Sequence, residues 1–173
     1  MDPIDIRPLT ASDAEIFSAL RLAVAADGEL PMGCTYAEEA ARPMAVFRQQ
    51  LSSPFGVTFG AFSGGELVGT ASVLRSADSV VTVHKATLWG VLVAPSHRKR
   101  SIGRRLVEAA IRYARLTGVR RLNLTVFLPN DTARGLYESL GFVVFGVEPQ
   151  AIHMGGCDHD ALIMSLATEA LKE

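Results

Sequence analysis

The chain has 173 residues, with 49% apolar and 20% charged side chains and a formal charge of −1 at pH 7. A chain of this length folds most simply as one domain spanning residues 1–173, and its apolar fraction excludes a disordered protein. The balanced charge excludes a global footprint for nucleic acid or anionic membrane, and no apolar run approaches the ~20 residues that cross a bilayer.

Ile4-Asp5-Ile6-Arg7 alternates and predicts a first strand stopped near Pro8. Ser12-Asp13-Ala14-Glu15 reads as a capping box opening a helix with Ile16, Phe17, Leu20 and Val24 on its buried side, ended by Asp27-Gly28. Thr35-Tyr36-Ala37-Glu38 is a second capping box leading to Met44, Phe47 and Leu51; Pro43 inside that pattern predicts a kink or two short helices. Val57 to Phe62 and Leu67 to Leu74 read as strands joined by a Ser63-Gly64-Gly65 turn, and residues 75–83 as a loop. Cys34 and Cys157 match no metal or redox spacing and, with no targeting segment at the N-terminus, point to free thiols in a reducing cytoplasm.

Leu88 to Ala94 predicts the next strand. Ile102, Leu106, Ala109, Ala110 and Tyr113 fall at helical spacing, with Gly118 as C-cap. Leu122, Leu124, Val126 and Leu128 alternate and stop at Pro129. Asn130 or Asp131 caps a short helix through Leu140, closed by Gly141; Phe142 to Val147 and Ala161 to Leu166 are the last strands. The order predicts a mixed α/β sheet with helices on both faces, and residues 88–128 form a strand–helix–strand unit with parallel strands. Ligands collect beyond the C-terminal ends of such strands.

The junction in that unit is the most informative stretch. Val91-Leu92-Val93-Ala94-Pro95 leads through Ser96-His97-Arg98-Lys99-Arg100-Ser101 into the helix at Ile102-Gly103-Arg104-Arg105. Backbone N–H groups, the positive end of a helix dipole and a basic cluster meet there, which suits a pyrophosphate. A solvated charged turn and an RNA-binding patch are the rival readings, although no aromatic residue interleaves with the basic ones. One strand further on, Pro129-Asn130-Asp131-Thr132-Ala133-Arg134-Gly135-Leu136-Tyr137 places Asn130 at a strand end and Tyr137 two turns into a helix, where core packing is the plain role of a lone tyrosine.

Arg98-Lys99-Arg100-Ser101-Ile102-Gly103 resembles the Gln/Arg-x-x-Gly-x-Gly/Ala motif of the GNAT superfamily of acyl-CoA N-acyltransferases. Asn130, Ala133, Leu136-Tyr137 and Gly141-Phe142 resemble its second half, and the element order extends the similarity over nearly the whole chain, nearest to amino-acid and peptide N-terminal acetyltransferases. The resemblance implies a GNAT-like three-layer sandwich whose central mixed sheet of six to seven strands splays at the cofactor site. It implies acetyl-CoA as co-substrate with no metal, an amine acceptor, no nucleic-acid or membrane partner, and a homodimer. By the same resemblance the amides of Arg98, Lys99, Arg100, Ser101, Ile102, Gly103 and Arg104 cradle the coenzyme A pyrophosphate, and Val91, Leu92 and Val93 offer main-chain groups to the pantetheine and thioester. Asn130 and Ala133 would border the pantetheine arm, and Tyr137 would face the sulfur.

The chemistry suits these residue types. Amine attack builds charge on the thioester oxygen, which a fixed amide near Val93 stabilises, and the leaving thiolate needs a proton that Tyr137 can give. Two positions depart from the family pattern: Ser101 stands where a glycine is usual, and Thr87 where relatives place a carboxylate base. Those departures also suit a CoA-binding sensor or interaction module of the same fold. His84, Glu38, Glu39 and His153 are the remaining base candidates. His153 to Asp160 holds His, Cys and Asp residues without a well-spaced fourth ligand, so it reads as the connection between the last two strands, where His159 and Asp160 bind substrate or fix the loop.

Overall fold

The computed structural model describes residues 3–28, 30–75 and 80–168. Seven strands form one sheet: β1 (Ile4–Pro8), β2 (Gly56–Ser63), β3 (Glu66–Arg75), β4 (Lys85–Val93), β5 (Arg121–Phe127), β6 (Val143–Met154) and β7 (Cys157–Ala167). Their order is β1-β2-β3-β4-β5-β7-β6. Every neighbouring pair is antiparallel except β4 and β5, the strands flanking the predicted crossover.

The helices are α1 (Ala14–Asp27), α2 (Tyr36–Ala40), α3 (Met44–Leu51), α4 (Ile102–Leu116) and α5 (Asp131–Ser139). Alternation along β3 shows how they sandwich the sheet. Val68, Ala71 and Val73 join one core with Ile102, Leu106 and Ala110 of α4, whereas Leu67 joins a second core with Phe17 and Leu20 of α1 and Phe47 of α3. Helices therefore cover both faces. Pro43 ends the chain of turns between α2 and α3 as its missing N–H requires, giving the two short helices.

Four local expectations are corrected. The first cap lies one turn upstream: the Thr10 N–H donates to Asp13 Oδ2 at 2.8 Å over a one-turn 3-10 helix, Ala11–Asp13, that precedes α1. Phe17, Leu20 and Val24 of α1 are buried as expected, but Ile16 is 43% exposed, and Arg21 takes a buried position. On α4 the buried stripe runs through Ile102, Leu106, Ala110 and Ala114 with Val107 and Ile111 beside it, leaving Ala109 and Tyr113 half-buried. The last two strands are far longer than expected. Residues 153–160 are not a loose connection but the end of a hairpin, with His153 in β6, Cys157–Asp160 in β7 and the turn at Gly155-Gly156. Part of the predicted loop, residues 76–79, lies outside the described residues.

Candidate active site

The parallel pair supplies the opening. β4 and β5 are in register only from Lys85–Arg121 to Thr87–Asn123, and beyond that no pairing joins them. β4 is turned at the same place by a bulge: two residues, Gly90 and Val91, stand opposite the single Ala71, with Gly90 at φ +59° and its carbonyl accepting from Thr70 Oγ1 at 3.0 Å. The parted strands border a cavity of about 350 Å³, walled by Thr87 to Leu92 on one side, Leu124, Thr125 and Phe127 on the other, and Tyr137.

At the C-terminal end of β4 the chain turns into α4. Lys99 (φ +60°) and Ser101 (φ +57°) both lie in the left-handed region, a conformation that costs a side-chain-bearing residue ~1–2 kcal/mol. Alternating such residues with ordinary ones turns successive amides toward one point, an anion nest. The first helix-closing bond of α4 runs from the Arg105 N–H to the Ser101 carbonyl at 3.1 Å, so the amides of Ile102, Gly103 and Arg104 point out of the helix end. Ser101, in the place of a glycine, accepts the strained conformation and makes no side-chain cap bond.

Gly103 tests whether this cradle suits a ligand. A Cβ there would meet only Leu136 at 3.6 Å and Val93 at 3.7 Å, ordinary contacts, and its φ is not positive. Nothing in the protein demands glycine. The small residue leaves the helix end open, and the outward amides fit a diphosphate.

The basic side chains divide. Arg98 is taken up by the fold: Nη1 donates to Asp27 at 2.5 Å, clasping the end of α1, and Nε donates to the Val93 carbonyl at 3.3 Å. Arg104 reaches Ser139 Oγ at 2.6 Å and Arg105 the Ile4 carbonyl at 2.9 Å. Lys99 and Arg100 have no side-chain partner among the described residues.

Asn130 caps α5, its Oδ1 accepting the Ala133 N–H at 3.1 Å. The helix thus started carries Tyr137 to the cavity two turns later. Tyr137 is 8% exposed and stacks edge-on against Phe142 at 5.7 Å. Burial pushes its phenol well above the ordinary tyrosine range. Its hydroxyl has no hydrogen-bond partner among the described residues, so it is a fully protonated donor facing the cavity.

The base candidates separate sharply. Thr87 lines the cavity, but His84, Glu38 and His153 do not. The Glu38 carboxylate closes the capping box with the Thr35 N–H at 2.8 Å. His153 pairs with Asp158 at 2.7 Å on the hairpin end. Glu39 is buried and gripped by Arg21, with Nε to Oε1 at 2.5 Å and Nη2 to Oε2 at 2.9 Å. Burial raises its carboxyl, but the Arg21 bonds and the Arg42 charge outweigh that and hold it below the usual carboxylate range. Glu39 is a structural anion and not a base.

His159 and Asp160 serve the hairpin. The His159 ring lies between the Leu128 carbonyl at 2.9 Å and the Met154 carbonyl at 3.2 Å, and Asp160 Oδ1 accepts the Gln150 N–H at 2.8 Å. Among the described residues no group of three or more His, Cys, Asp or Glu is placed to hold a metal. The sequence reading missed Arg21, Cys34 and Arg42, all on the cavity wall. Arg21 carried a signal, since an arginine four residues after Phe17 and three before Val24 sits on the buried row of α1.

The comparisons with known proteins agree with this geometry. The family described as Acetyltransferase (GNAT) family matches residues 28–142. The chain is 32% identical over 157 residues to the N-alpha-acetyltransferase RimI of Mycobacterium tuberculosis, across 91% of this chain and 89% of that one. The solved ribosomal-protein-alanine N-acetyltransferase of Brucella melitensis has a TM-score of 0.83 at 25% identity, over 94% of this chain and 99% of that one. The fold is shared with yncA of Salmonella typhimurium, solved with its cofactor acetyl-CoA, at a TM-score of 0.81 and 20% identity over 99% of this chain and 97% of that one. The matched stretch runs through the cradle, the parted strands and Tyr137 alike, and on that ground the chain belongs to the acetyltransferase (GNAT) family and is an acyl-CoA-dependent N-acetyltransferase.

Proposed function

We propose that the whole chain works as one catalytic unit that moves an acetyl group from acetyl-CoA to a primary amine, of a small molecule or of a protein or peptide, with both substrates bound at once. The observation that carries the reading is the meeting of three features: outward amides at the start of α4, a parallel pair that loses its ladder beside them, and a buried tyrosine at the far wall. Acetyl-CoA supplies an activated thioester, in which one C–S bond breaks as one N–C bond forms.

The chain's own residues do the rest. The amides from Arg98 to Arg104 hold the pyrophosphate, with the Lys99 and Arg100 side chains adding charge where no protein partner competes. Val91, Leu92 and Val93 direct the acyl arm by their main-chain groups, Asn130 and Ala133 fix the start of α5 beside it, and an amide near Val93 steadies the charge that develops on the acyl oxygen. Tyr137 Oη holds a proton for the leaving sulfur. No carboxylate or imidazole lines the cavity among the described residues, so the amine nitrogen releases its surplus proton to water. A cytoplasmic location and a homodimer complete this reading, the second supported by the apolar side chains that β6 leaves exposed.

The test is direct. Acetyl-CoA at 100 times its dissociation constant should stabilise the fold by about 2.7 kcal/mol, read as a raised melting temperature. Tyr137→Phe should lower kcat by about 10²-fold or more while leaving the acetyl-CoA dissociation constant unchanged; an unaltered kcat removes Tyr137 from the acid role.

A further inference from the structure

The cavity has one charged wall that the acetyl-transfer chemistry does not use. Arg21, from α1, is 5% exposed, yet it lines the cavity together with Arg42, which follows α2. Both charges converge on Glu39. Its Oε1 accepts Arg21 Nε, and its Oε2 accepts Arg21 Nη2 and the Cys34 thiol at 3.6 Å, with Arg42 Nη2 at 3.4 Å. Two cations thus face one anion. The other polar groups of the wall are neutral: burial raises the Cys34 thiol first, with the Glu39 charge adding to it, and Tyr137 stays protonated.

A purely structural clasp between α1 and α2 needs a single arginine, and it uses only one edge of that guanidinium. Here the Nη1 nitrogen of Arg21 has no acceptor among the described residues. It lies 3.8 Å from where a Cβ on Gly90 would stand, at the β4 bulge. The Arg42 guanidinium makes no hydrogen bond among the described residues, and a third of its side chain is exposed. Guanidinium N–H groups in a partly desolvated wall gain strongly from a carboxylate, which they match in a fork. A bare polycation entering the same space would meet an uncompensated positive wall.

We infer that the acceptor is a primary amine carrying a carboxylate a few bonds from its nitrogen, and that Arg21 and Arg42 hold that carboxylate. This rests on the acceptor entering the cavity as proposed above. Nη1 lies beside the β4 bulge at Gly90, and Leu92 and Tyr137 line the same cavity, so a carboxylate bonded to Nη1 keeps an amine two to four bonds away within that space. Pro31, Met32 and Phe127 give the remaining wall an apolar character that suits an aliphatic or thioether side chain. The carboxylate has two sources, the main chain of a free amino acid or the acidic side chain of a peptide's own N-terminal residue.

Calorimetric titration of the coenzyme A-loaded protein separates them and reads binding without turnover. L-Methionine is compared with L-methioninamide, and the dipeptide amide Asp-Ala with Asn-Ala; kcat/KM with acetyl-CoA is measured on the same four amines. The inference expects the carboxylate member of one pair to bind at least about tenfold more tightly and to be acetylated with a correspondingly higher kcat/KM. The pair that shows it names the source. Arg42→Gln, and the charge-neutral double variant Arg21→Gln with Glu39→Gln, should each reduce that preference below about threefold with acetyl-CoA affinity retained. Equal binding within each pair, with acetyl-CoA still bound and amines still acetylated, overturns the inference and leaves the acetyltransferase reading intact. Failure to bind acetyl-CoA at all sinks that reading, and this inference with it.

Discussion

Gly103 sits in the first turn of α4 with room for a methyl group and an ordinary helical backbone, so alanine fits there as well as glycine. Gly103→Ala should raise stability by up to about 1 kcal/mol through helix propensity, or ~2–4 °C in Tm for a chain of this size. The family motif takes Gly or Ala at this position, so the same methyl group should leave the acetyl-CoA dissociation constant within about threefold, which a titration reads directly. Ser101 shows a residue-level constraint, since its left-handed backbone is borne by a serine where the family pattern has glycine. Its position was legible in sequence, because a helix start after a basic loop has few solutions. Its strain was legible only as a question about the sign of φ. Of the wall of Arg21, Glu39 and Arg42, only the buried place of Arg21 on α1 was legible. The wall's members come from two helices and a turn spread over more than twenty residues, and the sequence offered Glu39 as a base because nothing local reveals the arginines that neutralise it.

Among the elements, the join between β1 and α1 carries a pH-dependent clasp. Asp13 accepts both Arg7 Nη1 at 2.9 Å and Arg7 Nη2 at 2.8 Å, together with the Thr10 N–H. The Arg7 guanidinium, opposed by partial burial and helped by Thr10, holds the Asp13 carboxyl down at about 2. Its folded value lies below its unfolded value, so the clasp contributes fully above about pH 4 and fades as pH falls toward 2; with the Arg7 side chain 43% exposed and screened by solvent, the contribution is at most ~1 kcal/mol. Denaturant melts of Asp13→Asn should therefore show lower stability at pH 6 and a shallower decline from pH 4 to 2 than the parent. Elements with a strong period were read well: α4, β5 and the hairpin of β2 and β3 lie close to where their patterns put them. The hairpin of β6 and β7 was shortened in the reading because Glu148-Pro149-Gln150 breaks alternation. The structure accommodates Pro149 on an edge strand and absorbs the irregularity in a register shift between Glu148 and Ile152, with Gln150 at φ +51°.

At the scale of the whole molecule the sheet ends on β6, a twelve-residue edge strand with Val143 60%, Phe145 61% and Val147 55% exposed. Edges of that length and character invite a second chain. Sedimentation equilibrium should find the proposed dimer, and Phe145→Asp should shift it toward monomer while leaving Tm within a few degrees. The interior offers a different kind of edge. The seven strands follow one another in an unbroken order, but only three register pairs join β1–β4 to β5–β7 directly. The amides of β4 and β5 that face each other past Thr87 and Asn123 belong to the centre of the sheet, yet they have no ladder partner across the gap. In deuterated solvent they should exchange at rates ordinarily reserved for loops, with no global unfolding, and slow by more than about tenfold when acetyl-CoA is added. A sheet centre that labels early and falls silent on binding would make the substrate the missing strand.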